Sequence, residues 1–455
     1  MASRYDSSDG LTQLNDLLRE TPSGGARRSP APVDPVRRRR RRRRGLIAGV
    51  IVTLVVVGLV GGYVGWALNA PVGAPQATTH RPDVTVPAAV TLAMPGADEG
   101  ESAISVAGGD DYLGATASGI WATSGGDAAR PIASISKLIT AMVVLGAKPL
   151  SSATDAGPTL SFDKADHDLY DKYYVLNATI AAMPTGSSMS EHDALETMLV
   201  VSACNYAEAV ADWAFGSNAG FVNATRKWLA ANGMTHTTMV EPTGIDDRNT
   251  SSPSDLIALG KLAAANPAVA AMVAKTSLDV PPLQGMPNTN DLLGSDGITG
   301  IKTGTLDTSG SDLLFSATLN VGAKTPLSVI GVVLGGNSHG SVDDDVIALL
   351  HSITAGFHEV SLGTASQVVG TYSTPWGSSA KMVLGRAASV LTWSNTPVTS
   401  TMTTTRLTTG RDGERVGSVT WTAGKTTVTV PVVLQGGIRQ PTEWWRLTHP
   451  SQLGR

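Results

Sequence analysis

An uncharged apolar segment of 24 residues, Gly45–Leu68, constrains this chain more than any other feature. It directly follows an unbroken run of eight arginines, Arg37–Arg44. A segment of this length can cross the ~30 Å hydrocarbon layer of a membrane as one helix. Arginines stay on the cytoplasmic side, and Tyr63 and Trp66 lie at the opposite end, where interfacial aromatic residues are enriched. The sequence therefore predicts one transmembrane helix, with a cytoplasmic N-terminus and an extracytoplasmic main body in the cell membrane.

A cleaved signal peptide is the alternative interpretation of the same segment. Its basic region would be unusually long, and the apolar stretch exceeds the roughly 7–15 residues of a signal-peptide core. These two differences favour an uncleaved anchor.

The charge distribution argues against a nucleic-acid partner. The net charge of the 455 residues is −4, although residues 1–44 hold 12 arginines against 5 acidic residues. The remaining residues therefore carry −11, whereas nucleic-acid binding needs a basic face. Cys204 is the only cysteine, so neither an intramolecular disulfide nor a zinc site of several cysteines can form. No HExxH or similar spacing is present, and we predict no metal and no cofactor.

Changes in composition divide the chain into five segments. The first is rich in Ser, Pro, Arg and Asp and is predicted to be a disordered basic cytoplasmic tail. A Pro/Ala/Thr/Val linker follows the apolar helix, then a compact domain, and finally short Val/Thr-rich runs that are typical of a small all-β domain. The predicted boundaries are 1–44 for the tail, 45–68 for the transmembrane helix, 69–96 for the linker, 97–358 for the compact domain and 359–455 for the β-rich domain.

The compact domain has strand-like segments at both ends and helical periodicity between them, which predicts an α+β fold whose sheet draws strands from both ends. The predicted strands are SAISVAG, YLGATAS, Leu313–Leu319 and Leu327–Leu334, and the predicted helices are Ser136–Leu145 and Ala194–Phe215.

A candidate nucleophile and base open the first of these helices. Ser134 and Lys137 are three residues apart, so they share one helix face and their side chains are neighbours. A serine hydroxyl needs a base before it can attack a carbonyl, and a buried lysine amine can remove the proton. Ser-x-x-Lys also occurs at Ser161/Lys164 and Ser378/Lys381, but only the Ser134 match opens a strongly apolar helix.

Two further elements favour acyl-transfer chemistry. Lys302-Thr303-Gly304 precedes a strand-like run, and it is the only Lys-Thr-Gly in the chain. A glycine in a strand permits close approach of another backbone, while Lys302, Thr303 and Thr305 offer donors to a carboxylate. Ser202-Ala-Cys204-Asn205 lies in an apolar helical stretch, where a buried hydroxyl could relay protons.

Ser-x-x-Lys, a serine-containing second element and Lys-Thr-Gly, in this order, form the motif set of penicillin-binding proteins and class A β-lactamases. The flanking segments RPIASISKLITAMVVL, MLVVSACNYAEAVA, EPTGIDDRNTSSPSDLIALGKLA and DGITGIKTGT resemble the low-molecular-mass D-alanyl-D-alanine carboxypeptidases. The resemblance covers about 97–358. It implies a β-lactamase/transpeptidase-like domain, with an antiparallel sheet and a helical subdomain, followed by a small all-β domain.

The resemblance implies a serine D-alanyl-D-alanine carboxypeptidase. Ser134, deprotonated by Lys137, would attack the carbonyl before the terminal D-alanine of a peptidoglycan stem peptide. Backbone N–H groups of Ser134 and Thr305 would form the oxyanion hole, and Ser202 with Lys302 would pass a proton to the leaving D-alanine. β-Lactams would acylate the same serine.

The substrate-binding residues implied by the resemblance are Lys302, Thr303, Gly304 and Thr305, together with the second motif. There the family has Ser-x-Asn, whereas this chain has Cys204 at the asparagine position and Asn205 one position later. Because a thiol is a weak hydrogen-bonding group, either residue can be assigned the asparagine's role.

Three alternatives remain open on the sequence. A transpeptidase would use an amine in place of water as acceptor. A β-lactamase would use Glu241, which precedes Pro242 about where a class A deacylating glutamate would lie. A non-catalytic envelope protein that binds peptidoglycan is the alternative of another class, and the Cys204 substitution is the feature that favours it.

Overall fold

The computed structural model describes residues 35–97 and 100–454. The predicted disordered tail covers residues 1–44. Residues 1–34 lie outside the described residues, and residues 35–44 form the first turns of a helix. The helices are α1 (Pro35–Asn69), α2 (Asp110–Leu113), α3 (Ser136–Ala147), α4 (Lys164–Val175), α5 (Glu191–Val200), α6 (Cys204–Phe215), α7 (Asn218–Ala231), α8 (Pro253–Ala265), α9 (Pro267–Val273), α10 (His339–Ala355) and α11 (Glu443–Thr448).

Most strands are short, and all pair antiparallel. They are β1 (Gln76–Thr79), β2 (Glu101–Ala107), β3 (Ala122–Ser124), β4 (Arg130–Pro131), β5 (Thr159–Ser161), β6 (Ser188–Ser190), β7 (Thr250–Ser251), β8 (Ile298–Leu306), β9 (Gly310–Leu319), β10 (Leu327–Gly336), β11 (Phe357–Gly363), β12 (Val368–Ser373), β13 (Ser379–Leu384), β14 (Ala388–Trp393), β15 (Val398–Thr404), β16 (Arg415–Ala423) and β17 (Thr426–Gln435).

The chain forms two compact units. The first contains the described residues up to Gly73 and those from Pro441 onward, and the second runs from Ala74 to Gln440. In the first unit, residues Arg39–Asn69 of α1 are long and apolar enough to cross a membrane, as the sequence predicts for an anchor.

A five-stranded sheet in the order β3-β2-β10-β9-β8 is the centre of the second unit. Along β9, Leu313 and Phe315 pack toward α10, while Leu314 packs into the helical part of the core. This alternation buries both faces of the sheet. β8 lies at the edge of the sheet, which leaves one side of its backbone available to other groups. The predicted α+β arrangement, with strands from both ends of the domain, is confirmed.

Two local predictions are wrong. YLGATAS contains the end of α2 and turns rather than a strand, and β3 follows it. The single helix predicted over Ala194–Phe215 is two helices, because the chain breaks at Val201–Ala203. Ser202 adopts a φ of 66°, which no residue inside a right-handed helix can have.

The β-rich end of the chain forms a six-stranded sheet in the order β1-β12-β13-β17-β16-β15, beside the pair β11 and β14. Trp421, Tyr372 and Met382 lie in its core. The first strand of the order, β1, comes from the segment predicted as a linker and pairs with β12 from Gln76↔Ser373 to Thr79↔Gly370. The sheet therefore takes one edge strand from residues that precede the α+β domain.

Candidate active site

Ser134 lies in a single 3-10 turn, Ala133–Ile135, that leads directly into α3. At the start of this turn Ala133 has a φ of 44°, a left-handed backbone conformation that residues other than glycine rarely adopt. Ser134 is half-buried, whereas Lys137 is 0% exposed. The Lys137 Nζ donates to Ser134 Oγ at 2.8 Å and to the carbonyl of Thr243 at 2.7 Å. The predicted pairing of Ser134 with Lys137 is thus present, with the amine aimed at the hydroxyl.

The loop that contains Thr243 packs tightly against the serine turn. A Cβ added at Gly244, where φ is +87°, would lie 1.9 Å from the carbonyl oxygen of Ala133. Asn249 donates from Nδ2 to Ser136 Oγ at 3.2 Å, and its carbonyl accepts from the Ile132 N–H at 3.0 Å. These contacts hold the serine turn against the loop whose Thr243 carbonyl accepts from Lys137.

The Glu241 carboxylate organises this loop. It accepts from the N–H of Thr243 and from the N–H of Gly244, each at 2.6 Å, and from Asn249 Nδ2 at 2.9 Å. Both carboxylate oxygens therefore accept hydrogen bonds from the loop whose Thr243 carbonyl accepts from Lys137.

The edge strand β8 approaches the serine turn from the other side. A Cβ at Gly304 would lie 2.9 Å from the carbonyl oxygen of Ile132 and 3.1 Å from the Ala133 Cβ. Only glycine gives the strand this close approach without displacing a neighbour. The Lys-Thr-Gly element and the Ser-x-x-Lys element, far apart in sequence, thus meet as predicted for one site.

Lys302 is 1% exposed, and its ammonium donates to Thr289 Oγ1 at 3.2 Å. Thr303 donates to the same Thr289 oxygen at 2.6 Å. Burial first, and the nearby charge of Lys137 second, lower the pKa of Lys302 from 10.5 to about 7, and Cys204 opposes this shift. Lys302 can therefore change its charge near neutral pH.

Thr305 is exposed at the end of the Lys-Thr-Gly element, and its hydroxyl lies 2.6 Å from Nε2 of His339. His339 is the first residue of α10, after the N-cap Ser338. A helix N-terminus favours negative charge. Thr305, His339 and the start of α10 together form a polar corner that suits an anionic group.

Ser202 lies in the break between α5 and α6 and is 4% exposed, and Cys204 begins α6 at 3% exposure. Asn205 is 0% exposed and uses both ends of its amide on Ala181: Oδ1 accepts from the N–H at 3.1 Å, and Nδ2 donates to the carbonyl at 2.8 Å. Of the two residues that can replace the family's asparagine, Cys204 is therefore the one whose side chain is not already held by backbone.

A buried carboxyl lies behind β8. Asp312 is 0% exposed, and its Oδ1 accepts from the Gly335 N–H at 2.8 Å. Burial raises the pKa of Asp312 to about 7, against the opposing effects of the Gly335 and Ser309 bonds and the charge of Arg130. A Cβ at Gly304 would lie 3.2 Å from its Oδ2, so this carboxyl packs directly against the strand of the site.

Sequence reasoning missed the residues that support the site from a distance. They are Thr243, Asn249, Thr289, Asp312 and His339. Thr243 belongs to the Glu-Pro-Thr-Gly run, Asp312 lies opposite Gly304 in the β8–β9 hairpin, and the other three reach the site from other parts of the chain. The Glu-Pro-Thr-Gly run is the one local signal, because a glutamate that precedes two backbone N–H groups in a glycine turn is suited to accept from them.

Residues 114–338 match the D-alanyl-D-alanine carboxypeptidase family, peptidase S11. D-alanyl-D-alanine endopeptidases of Pseudomonas aeruginosa and Escherichia coli are 33% and 34% identical over 133 and 134 residues, respectively. Each alignment covers 29% of this chain, and the chain spans only 39% of the length of either relative.

Two solved structures are similar to parts of this chain. Penicillin-binding protein 5 from Haemophilus influenzae is 17% identical, with a TM-score of 0.49, over 78% of this chain and 100% of its own. The Streptomyces K15 DD-transpeptidase is 23% identical, with a TM-score of 0.47, over 58% of this chain and 97% of its own. On its sequence match and its three motifs, the segment 114–338 belongs to the peptidase S11 family of D-alanyl-D-alanine carboxypeptidases.

Proposed function

We propose that this chain is a serine D-alanyl-D-alanine carboxypeptidase, which removes the terminal D-alanine of peptidoglycan stem peptides through an acyl-enzyme on Ser134. The observation that carries the proposal is the 2.8 Å contact between Lys137 Nζ and Ser134 Oγ, with the amine buried and anchored on Thr243. In its neutral form the same amine can accept the hydroxyl proton at this distance.

Acylation follows from the way β8 lies beside the serine turn. The Ser134 oxygen attacks the carbonyl before the terminal D-alanine, and its proton passes to Lys137. The backbone N–H groups of Ser134 and Thr305 stabilise the oxyanion. Gly304 supports this assignment, because it alone lets the strand come so close to the turn.

Release of D-alanine needs a proton at its nitrogen and a site for its carboxylate. We assign the proton relay to Ser202 with Lys302, and carboxylate binding to Lys302, Thr303 and Thr305. We add His339, because its imidazole contacts Thr305 at 2.6 Å and would donate to the same carboxylate. Water then attacks the acyl-enzyme and regenerates Ser134.

The contacts of Cys204 and Asn205 favour different roles for the two residues. We propose that Cys204, at the start of α6 and near Lys302, faces the substrate in place of the family's asparagine. Asn205, which the sequence also allows as a substrate ligand, would instead position the backbone at Ala181.

We further propose that α1 anchors the enzyme in the cell membrane as a single pass, with the arginine run cytoplasmic and residues after Leu68 outside. Its length and composition are compatible with this role. The linker 69–96, the catalytic domain 97–358 and the β-rich domain 359–455 would then all be extracytoplasmic, where peptidoglycan lies.

Mass spectrometry after incubation with penicillin tests the nucleophile. The wild-type chain should gain one penicilloyl adduct and should release D-alanine from diacetyl-Lys-D-Ala-D-Ala, and Ser134→Ala should do neither. Ser161→Ala is the matched control, because Ser161 belongs to another Ser-x-x-Lys in which Lys164 pairs with Asp168.

Two results would refute the proposal. A wild-type chain that gains no adduct and releases no D-alanine would favour the non-catalytic, peptidoglycan-binding alternative. An adduct that persists in Ser134→Ala would place the nucleophile elsewhere. If the acyl group on Ser134 is transferred to an added amine in preference to water, after release of D-alanine, the chain is a transpeptidase.

A further inference from the structure

Residues 441–454, which we call the clasp, fold back onto the end of α1 within the first unit. Val72 and Leu453 form an antiparallel bridge, and the Gly454 N–H donates to the Pro71 carbonyl at 2.9 Å. Ala67, Ala70 and Leu453 are buried together, with Trp445 and Leu447 packed against them. The clasp and the helix end thus share a small core.

Polar contacts fix the clasp on carbonyls that the helix cannot satisfy itself. Arg446 Nη1 donates to the Ala70 carbonyl at 2.7 Å and to the Ala67 carbonyl at 3.5 Å. Ala67 is among the last four residues of α1, whose carbonyls have no partner within the helix, and Ala70 directly follows the helix end; a cation there also complements the helix dipole. From the helix side, the Tyr63 hydroxyl donates to the Leu447 carbonyl at 2.6 Å.

The position of this contact along α1 matches a membrane surface. The 22 residue steps from Arg44 to Trp66 rise about 33 Å in a helix. The hydrocarbon layer is ~30 Å thick, so with the arginines at one surface Trp66 lies at the other. Trp66 is 48% exposed and Trp444, on the clasp, is 74% exposed. Exposed tryptophans are characteristic of the lipid headgroup boundary, which suits a ring with one polar edge.

We propose that the clasp is a second membrane-contacting element, in which Trp444 enters the headgroup boundary of the bilayer beside Trp66. This inference rests on the proposed membrane anchor. Glu443 and Arg446 balance each other, so the clasp has no net charge with neutral histidine. Its attraction to lipid therefore comes from aromatic burial and not from the charge of the lipid headgroups.

An environment-sensitive fluorophore at position 444 tests this contact. The full chain carrying Trp444→Cys, labelled with NBD, is reconstituted into phosphatidylcholine vesicles with or without brominated acyl chains. Cys204 is 3% exposed and should not react, which labelling of the unsubstituted chain verifies. Brominated lipid should lower the NBD emission at least about twofold, equally in phosphatidylcholine and phosphatidylglycerol vesicles.

Two variants separate the clasp from the anchor. Arg446→Ala removes the cap on the helix carbonyls and should restore the NBD emission, while the protein still floats with the vesicles and still reacts with penicillin. Arg439→Ala, a change of the same charge at an exposed site outside the clasp, should leave the quenching intact.

Three other outcomes contradict the proposal, and a fourth contradicts only the enzymatic one. NBD that is shielded from aqueous iodide but not quenched by brominated lipid would show that position 444 is covered by protein and not by lipid. NBD that is open to iodide would show that the clasp faces water. A chain that does not float with the vesicles would refute the anchor, whereas a floating chain without a penicilloyl adduct would refute only the enzymatic proposal.

Discussion

The charge of Lys302 should control the pH dependence of catalysis. Its pKa is lowered from 10.5 to about 7, first by burial and then by the charge of Lys137. If the ammonium binds the substrate carboxylate, the free enzyme loses this group as pH rises above about 7. Since kcat/KM follows the free enzyme, it should fall tenfold per pH unit, or roughly a hundredfold by pH 9.

The same pKa predicts the pH dependence of stability. The unfolded chain holds this proton up to its ordinary pKa of 10.5, and the folded chain loses it near 7. Between these values the unfolded state binds more protons, so the free energy of unfolding rises with pH. Below 7 the charge is present in both states, and burying it costs about 5 kcal/mol at ~1.4 kcal/mol per unit of pKa. Lys302→Met should therefore increase stability by up to about 5 kcal/mol at pH 6 while it abolishes carboxylate recognition.

Steady-state kinetics from pH 5.5 to 9 on diacetyl-Lys-D-Ala-D-Ala measure the first effect, and urea unfolding over the same range measures the second. Lys302→Arg keeps a permanent charge, because a guanidinium does not lose its proton in this range. Its kcat/KM should not fall above pH 7. The peptide amide, which has no carboxylate to bind, is the matched substrate control. A wild-type profile that stays flat to pH 9, or an equal fall in Lys302→Arg, would refute the reasoning.

Three further substitutions test single contacts of the site. Gly304→Ala places a methyl 2.9 Å from the Ile132 carbonyl; it should destabilise by ~1–3 kcal/mol and slow penicillin acylation by roughly a hundredfold. Gly146→Ala, in ordinary contact at 3.5 Å within α3, should leave acylation unchanged and should not destabilise, because alanine favours the helix. His339→Gln should raise the KM of the free-acid peptide roughly tenfold with little change in kcat or in the KM of the amide. Asn205→Ala should lower the free energy of unfolding by ~1–3 kcal/mol in urea titrations, with an unchanged KM if its role is positional.

The sequence predicts those parts of the site that depend on local geometry. Ser134 and Lys137 are neighbours because three residues make almost one helical turn, and this needs no knowledge of the rest of the fold. Lys302 joins these two residues only because β8 packs against the serine turn. Gly304 is the only signal of this packing in the local sequence. The contact of His339 with Thr305 has no local signal, because it arises where α10 begins beside the end of β8.

The broken helix at Ser202 shows a second limit of periodicity. The apolar residues before and after the break continue the helical pattern, since α5 and α6 both bury an apolar face in the same core. Glycine or proline usually marks such a break, but here a serine takes the positive φ. The strain places Ser202 outside both helices, and backbone strain of this kind is common at functional sites.

Glu241 decides between the carboxypeptidase and the β-lactamase. A deacylating base needs a carboxylate free to activate water, yet this carboxylate accepts from the Thr243 and Gly244 N–H groups and from Asn249. Glu241→Gln replaces one acceptor oxygen with a donor, which must then face another donor, at a cost of ~1–3 kcal/mol. The loop would loosen, the Thr243 carbonyl would shift from beneath Lys137, and acylation by penicillin would slow.

If Glu241 were instead the deacylating base, Glu241→Gln would acylate at the wild-type rate and the adduct would accumulate without release. Stopped-flow acylation and the decay of the penicilloyl adduct measure the two steps separately. Because the substitution changes one atom and adds no volume, an unchanged acylation rate with a trapped adduct would contradict the structural role assigned to Glu241. Slower acylation, an unchanged release rate and a lower melting temperature would confirm that Glu241 acts on Lys137 through the backbone of its loop.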